Sequence, residues 1–208
     1  EQVAQLLKLQ DFFGKASVQR IAEVPDQDWV RLTQSQFEPV AITSALWVVP
    51  TWHEAPAQAS KVIRLDPGLA FGTGTHPTTR MCLRWIAHHV VPASRVLDYG
   101  CGSGILAIGA AMCGAGSVDA VDIDADAVTA ALANATANQV TVNTGLPDMA
   151  QGLYGLVVAN ILAAPLKVLA PLLCGHVQTG GHLVLAGILD CYVKLFYTAK
   201  TIARILNF

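Results

Sequence analysis

The sequence predicts a doubly wound α/β fold with a mostly parallel sheet, on three observations. Short runs of continuous Val, Ile, Leu and Ala alternate with helical stretches of about 10 to 15 residues, the pattern of parallel strands covered on both faces. One of those runs, Arg95 to Tyr99, empties into a glycine turn that leads straight into a helix, exposing backbone N–H groups at a positive helix end. The glycine turn, Asp122 and Asn160 all fall at the carboxyl ends of expected strands, where open sheets of this kind bind ligands.

The 208 residues allow one well-buried core with a small appendage. Hydrophobic residues make up 53% and charged residues 13%, with a mean hydropathy of +0.45. The longest apolar run, Gly104 to Gly116, is nevertheless shorter than the ~18 residues a spanning helix needs, so no membrane association is expected. A net charge of −2 without any Lys/Arg cluster argues against direct nucleic-acid binding. Cys82, Cys101, Cys113, Cys174 and Cys191 form no C-x-x-C pair, which fits a reducing, cytoplasmic setting. No signal-peptide pattern is visible, and the chain opens on Glu1 rather than Met, as a fragment would. The histidines have no metal-site spacing, and no metal is expected.

In chain order, Val3, Leu6, Leu7 and Leu9 form a helix-compatible stripe, and a short helix is expected from Trp29. Ala45 to Val49 reads as a strand closed by Pro50, followed by a turn; Trp47 and Trp52 are either core or groove residues. A strand at Val62 to Leu65 leads into the loop Asp66 to Arg80, D-P-G-L-A-F-G-T-G-T-H-P-T-T-R, rich in hydroxyls and N–H donors. That loop is either a plain connection or a ligand-facing cap on the helix Thr78 to His89. Strand Val96 to Tyr99, helix Ile105 to Cys113, strand Val118 to Ile123 and an Asp124-capped helix to Asn138 come next. A third strand is expected at Val140 to Asn143, then a buried strand Leu156 to Ala159, a helix Pro165 to His176, a turn at Thr179-Gly180-Gly181 and a strand His182 to Ile188.

Gly100, Gly102 and Gly104 give G-x-G-x-G, which is neither the G-x-G-x-x-G of dinucleotide sites nor a lysine-bearing phosphate loop. The turn suits a ligand with a carboxylate and an ammonium group, and Asp98 is positioned in sequence to accept from the ammonium. Asp122 ends the next strand 22 positions after Gly100, where a carboxylate can accept both hydroxyls of a ribose; Asp124 is the better helix cap. A glycine turn followed by a ribose carboxylate, with no phosphate site, describes S-adenosylmethionine. Methyl transfer from a sulfonium needs alignment and an unprotonated nucleophile, costly for a lysine of pKa ~10.4 and mild for an α-amine near ~8. The side-chain carbonyl of Asn160, followed by I-L-A-A-P, is placed either to accept amine protons or to serve the fold alone. His76 is either a base or a group that orients the backbone.

The chain resembles the methyltransferases of bacterial ribosomal protein L-eleven. The matching stretches are L-D-P-G-L-A-F-G-T-G-T-H-P-T-T-R from Leu65, V-L-D-Y-G-C-G-S-G-I-L-A-I from Val96, V-D-I-D from Val121, N-A-T-A-N from Asn134 and L-V-V-A-N-I-L-A-A-P-L from Leu156. With D-W and L-W-V-V-P-T-W-H near the front and G-I-L after Ala186, they cover residues 28 to 190. The resemblance implies a Rossmann-like class I fold with a seven-stranded sheet and methylation of the α-amine and lysine amines of that ribosomal protein. It places cofactor contacts on Thr79, Gly100, Asp122 and Asn160, with the loop around Phe71 to Thr75 over the methionine portion. Phe71, Thr73 and Gly102 are therefore counted among the cofactor residues, and Asn160 as the catalytic one. Residues 1–60 are expected to be a remnant of a substrate-recognition domain with its linker, and residues 61–208 the catalytic domain. A monomer is expected. The alternative is a small-molecule methyltransferase on the same fold; a cofactor-binding module without turnover and a nicotinamide enzyme are the rivals of another class.

Overall fold

The structure, a computed structural model, describes residues 37–66, 74, 76–187 and, for the backbone alone, 203–205. By contacts the chain divides into Glu1–Gln36 and Phe37–Phe208, and every described residue belongs to the second unit. The helices expected at Val3 to Leu9 and from Trp29, and the candidates Phe71 and Thr73, lie outside the described residues.

Three short strands come first: β1 (Val40–Ala41), β2 (Leu46–Val49) and β3 (Lys61–Arg64). They form a sheet of their own in the order β1-β2-β3, antiparallel between β1 and β2 and parallel between β2 and β3. The larger sheet holds β4 (Arg95–Tyr99), β5 (Ser117–Val121), β6 (Asn143–Gly145), β7 (Tyr154–Asn160), β8 (Val177–Ala186) and β9 (Ala203–Ile205). Its order is β6-β5-β4-β7-β8-β9 and every pairing is parallel. The helices are α1 (Pro77–His89), α2 (Ile105–Met112), α3 (Ala125–Ala137) and α4 (Ala163–Gly175).

The doubly wound α/β reading holds, but the expected single seven-stranded sheet does not: the described residues give a six-stranded sheet and a separate three-stranded one. The physical reason is where β2 and β3 find their hydrogen bonds. They pair with each other rather than with an edge of the larger sheet, and Leu46, Val48 and Ile63 join the core that also contains Leu83 and Ile86 of α1 and Ile105 and Ile108 of α2. A helix that is apolar all round must be enclosed on every side. Helix α2 meets this condition, with Ile105 through Ala110 all buried.

Alternate residues of the central strands feed two cores. Val96, Val118, Leu156, Val158 and Val184 face the side of α1, α2 and α3, while Leu97, Val121, Val157, Leu183 and Leu185 face Leu166 and Leu173 of α4. Burial on both faces explains why these strands read as unbroken apolar runs.

Two local expectations are corrected. The third strand begins at Asn143 rather than Val140: Gln139 takes φ 57° and Val140 N–H donates to Ala135 C=O (3.1 Å), so Val140 belongs to the turn that ends α3. Thr179-Gly180-Gly181 is a bulge inside β8, not a turn before it. Tyr154 pairs with Val177 but Leu156 with His182, so residues 178–181 loop out of the ladder around Gly180 at φ 76°.

The link from β6 to β7 carries only a single 3₁₀ turn, Pro147–Met149. A polar network fastens it near the strand starts. Arg95 reaches Leu153 C=O (3.3 Å), Gln151 C=O (3.2 Å) and Asp119 Oδ2 (3.1 Å), with its guanidinium 4.4 Å over the Tyr154 ring. Tyr154 O–H and Asn143 Nδ2 donate to the two Asp119 oxygens, each at 2.8 Å.

Candidate functional site

The order β6-β5-β4-β7-β8-β9 puts the reversal of winding between β4 and β7, and the carboxyl ends on either side of it carry the residues singled out from the sequence. The glycine turn after β4 is anchored to its neighbour strand: the N–H groups of Gly100 and Cys101 both donate to Val121 C=O, at 2.8 and 3.0 Å. Gly100 takes φ 77°, and a Cβ there would run into Ile161 Cγ2. Ile161 is thus a wedge against bare backbone. On its other side, Ile161 C=O lies 2.5 Å from where a Cβ of Gly187, itself at φ 84°, would stand.

Asp122, just past the end of β5, accepts from Gly102 N–H at Oδ2 (2.9 Å) and from Asp124 N–H at Oδ1 (3.1 Å). It therefore welds the glycine turn to the start of α3 while Asp124 supplies the cap, accepting from Asp126 N–H at 3.0 Å. Each carboxylate oxygen has a further lone pair, so this bracing leaves acceptor capacity for a ligand hydroxyl. Next to it Ile123 is 87% exposed, a large apolar side chain in water at the rim of the site.

Asp98, in β4, is fully buried. Its Oδ2 accepts from Ala107 N–H in the first turn of α2 (3.1 Å), and its Oδ1 has no hydrogen-bond partner. Burial pushes its carboxyl up to about 7, helped by the charge of Asp122 and opposed by the Ala107 bond. Burial likewise raises the thiol of Cys82 to about 12, and that of Cys101 upward too, so neither is a nucleophile.

Asn160 ends β7, paired in register with Ala186, and its Nδ2 donates to Thr79 Oγ1 at 3.2 Å across 81 positions of sequence. Thr79 lies in the first turn of α1 and is 2% exposed. His76 is the cap of that helix: Nδ1 accepts from Thr78 N–H (3.3 Å) and meets Thr78 Oγ1 (2.7 Å), so this ring orients backbone. The structure thus unites Gly100, Gly102 and Asp122 in one hydrogen-bonded unit, and Thr79 with Asn160 in another, with Ile161 touching the first unit and adjoining the second. Sequence reasoning misses Ile161 and Ile123; an isoleucine directly after a polar strand end is the available signal at both. Among the described residues no group of three or more His, Cys, Asp or Glu is arranged to hold a metal ion, and no helix is long and apolar enough to cross a membrane.

The sequence model of the family described as ribosomal protein L11 methyltransferase (PrmA) matches residues 1–197. The chain belongs to this family. Two relatives bearing the ribosomal protein L11 methyltransferase name are a protein of Polaromonas sp., 68% identical over 190 residues, and one of Thiobacillus denitrificans, 59% identical over 170 residues. The matches take in 90% and 81% of this chain but 64% and 57% of those relatives, so the chain spans about three fifths of their length. Among solved structures, a ribosomal protein L11 methylase from Lactobacillus delbrueckii subsp. bulgaricus is similar at a TM-score of 0.65 and 39% identity, over 73% of this chain and 81% of that one. Membership of the methyltransferase family agrees with the resemblance carried by the F-G-T-G-T-H-P-T-T and A-N-I-L stretches.

Proposed function

We propose that this chain is an S-adenosylmethionine-dependent protein N-methyltransferase acting on the α-amine and lysine amines of a large-subunit ribosomal protein; the name of the relatives supports the ribosomal-protein substrate, and the family resemblance supports the choice of amines. The observation that carries the reading is the pairing, at one sheet switch point, of an Asp122-braced glycine turn with an Asn160 amide. The residues fit the cofactor on three counts. Gly102, half-buried and held by Asp122, offers backbone without a side chain, Asp98 Oδ1 is an orphaned acceptor two residues before the turn, and Asp122 beside exposed Ile123 combines a polar and an apolar surface of the kind a nucleoside needs. Bound there, S-adenosylmethionine supplies an electrophilic methyl on a positively charged sulfur.

The roles assigned to the chain's own residues rest on these placements. Gly100 and Gly102 give the ligand close approach, Asp122 accepts from ribose hydroxyls, and Ile123 covers an adenine face. Thr79, hydrogen-bonded to Asn160, lines the cofactor site beside it, and Phe71 and Thr73 remain the candidates for enclosing the methionine portion. Asn160 Nδ2 is occupied by Thr79, which leaves Oδ1 to accept an N–H of the incoming amine and hold its lone pair in line. That division suits an amine acceptor. Recognition of the protein substrate is assigned to the N-terminal residues, with the rest of the chain as catalytic domain, acting as a monomer in the cytoplasm without nucleic-acid contact.

The test is transfer of radiolabelled methyl to the purified ribosomal protein, with a panel of small amines alongside. Label on the ribosomal protein, reduced in Asn160→Ala, is expected; label on small amines alone would replace the substrate assignment. Asp122→Ala is expected to weaken S-adenosylhomocysteine binding about 10-fold or more, since it removes both a ribose acceptor and the brace on Gly102. Unchanged affinity in that variant would mean the ribose is held elsewhere.

A further inference from the structure

We propose that Leu162 is a specificity-determining residue on the acceptor side of the site, packing against the carbon stem of a lysine whose amine is held at Asn160 and so favouring lysine amines over the α-amine. The inference rests on the reading of Asn160 as the group that accepts from the incoming amine, and adds to it a choice between the two kinds of amine.

Leu162 breaks two local rules of stability at once. It is the cap of α4, with extended backbone (φ −59°, ψ 147°), and its side chain makes no cap hydrogen bond. Ser, Thr, Asp or Asn at such a position satisfies a helix N–H, and a leucine forgoes that. It is also 77% exposed, a large apolar side chain left in water. A residue that serves neither the helix nor the core, two positions after Asn160, marks a place where the chain serves a ligand instead. The run I-L-A-A-P from Ile161 carries no charge, and Ala164 and Pro165 are exposed as well, so the surface just beyond Asn160 is apolar.

Dimensions and chemistry single out the occupant. The Cα of Leu162 can lie no more than about 7 Å from that of Asn160, two residues of fully extended chain. A lysine with its nitrogen at Asn160 therefore has its four-carbon stem within reach of Leu162, and such stems lie along apolar surface while the nitrogen stays at a polar group. An α-amine is bonded directly to its Cα and brings no stem.

The decisive variant is Leu162→Ser, in which the two roles of the position pull apart. With the purified ribosomal protein as methyl acceptor and mass spectrometry scoring each amine separately, the ratio of lysine to α-amine methylation rates is expected to fall about 10-fold, the worth of roughly two buried methylene groups. S-adenosylhomocysteine affinity by calorimetry should stay within about 2-fold. The thermal midpoint should rise by about 2–4 °C, because a helix cap is gained. Leu162→Met keeps the apolar cover and should keep the ratio. An unchanged ratio in Leu162→Ser, whether the two rates hold or fall together, would overturn the assignment, as would an equal fall in Leu162→Met or a lowered thermal midpoint in Leu162→Ser. An Asn160→Ala variant of undiminished turnover would instead sink the underlying reading of Asn160, and this inference with it.

Discussion

Gly100→Ala puts the packing of the glycine turn to a quantitative test. An alanine at φ 77° adopts a left-handed backbone, which costs about 1–2 kcal/mol. Its Cβ would also overlap Ile161 Cγ2, and forcing a packed contact apart costs about a further 1–3 kcal/mol. The sum is about 2–5 kcal/mol, read as the loss of unfolding free energy in urea titrations followed by fluorescence and far-ultraviolet circular dichroism. Gly180→Ala is the matched control: its φ is 76°, yet nothing lies within 4 Å of the added carbon. It should lose only the backbone part, about 1–2 kcal/mol. Ile161→Ala should then relieve Gly100→Ala, so that the double variant is less destabilised than the two single changes added together. Equal losses at Gly100 and Gly180, or strict additivity with Ile161→Ala, would refute the account of Ile161 as a wedge.

Other perturbations reach other parts of the molecule. Because the Asp98 carboxyl is raised to about 7 when folded, its contribution to stability is full below its unfolded pKa near 3.8 and is lost as pH rises through about 7. Asp98→Asn should therefore flatten the fall in stability between about pH 4 and pH 7 in denaturant titrations, and an unchanged slope would count against a buried, titrating carboxyl. Cys82 and Cys101 should resist thiol reagents at about pH 8 until the protein is unfolded, which a colorimetric thiol assay with and without denaturant would show. Asp119→Ala strips an acceptor from Arg95, Tyr154 and Asn143 at once, and about 2–4 kcal/mol of stability should disappear with S-adenosylhomocysteine affinity unaltered.

How far the molecule is legible in its chain depends on the distance over which each signal acts. The spacing of Gly100, Gly102 and Gly104 and the arrival of Asp122 at the next strand end are local facts, and the geometry joins them through one hydrogen bond. The Asn160–Thr79 contact spans 81 positions, and nothing near Thr79 advertises its partner; only resemblance to a family points there. Thr179-Gly180-Gly181 passes for a turn because a bulge and a turn ask for the same residues, and only the register of β7 against β8 tells them apart. Val140 passes for part of a strand because an apolar residue ending a helix in a left-handed turn looks like the first residue of a strand. The separate small sheet is hidden for a related reason: Leu46 to Val49 announces a strand but not the neighbour it pairs with. Asp119 is the signal that sequence reasoning leaves unused. An acid inside V-D-A-V, a buried parallel strand, demands a partner, and Arg95 opens the strand before it.

That fastening has a consequence for how such a protein can change over time. Arg95, Asp119, Asn143 and Tyr154 tie the sheet together from residues near the strand beginnings, away from the strand ends that carry Gly100, Asp122 and Asn160. Part of the stability is thereby drawn from side chains that stand apart from the candidate site. Substitutions around Asn160 leave that fastening untouched, and a designer wishing to redirect this scaffold should leave the four tied residues alone and vary the rim around Ile123 and Asn160.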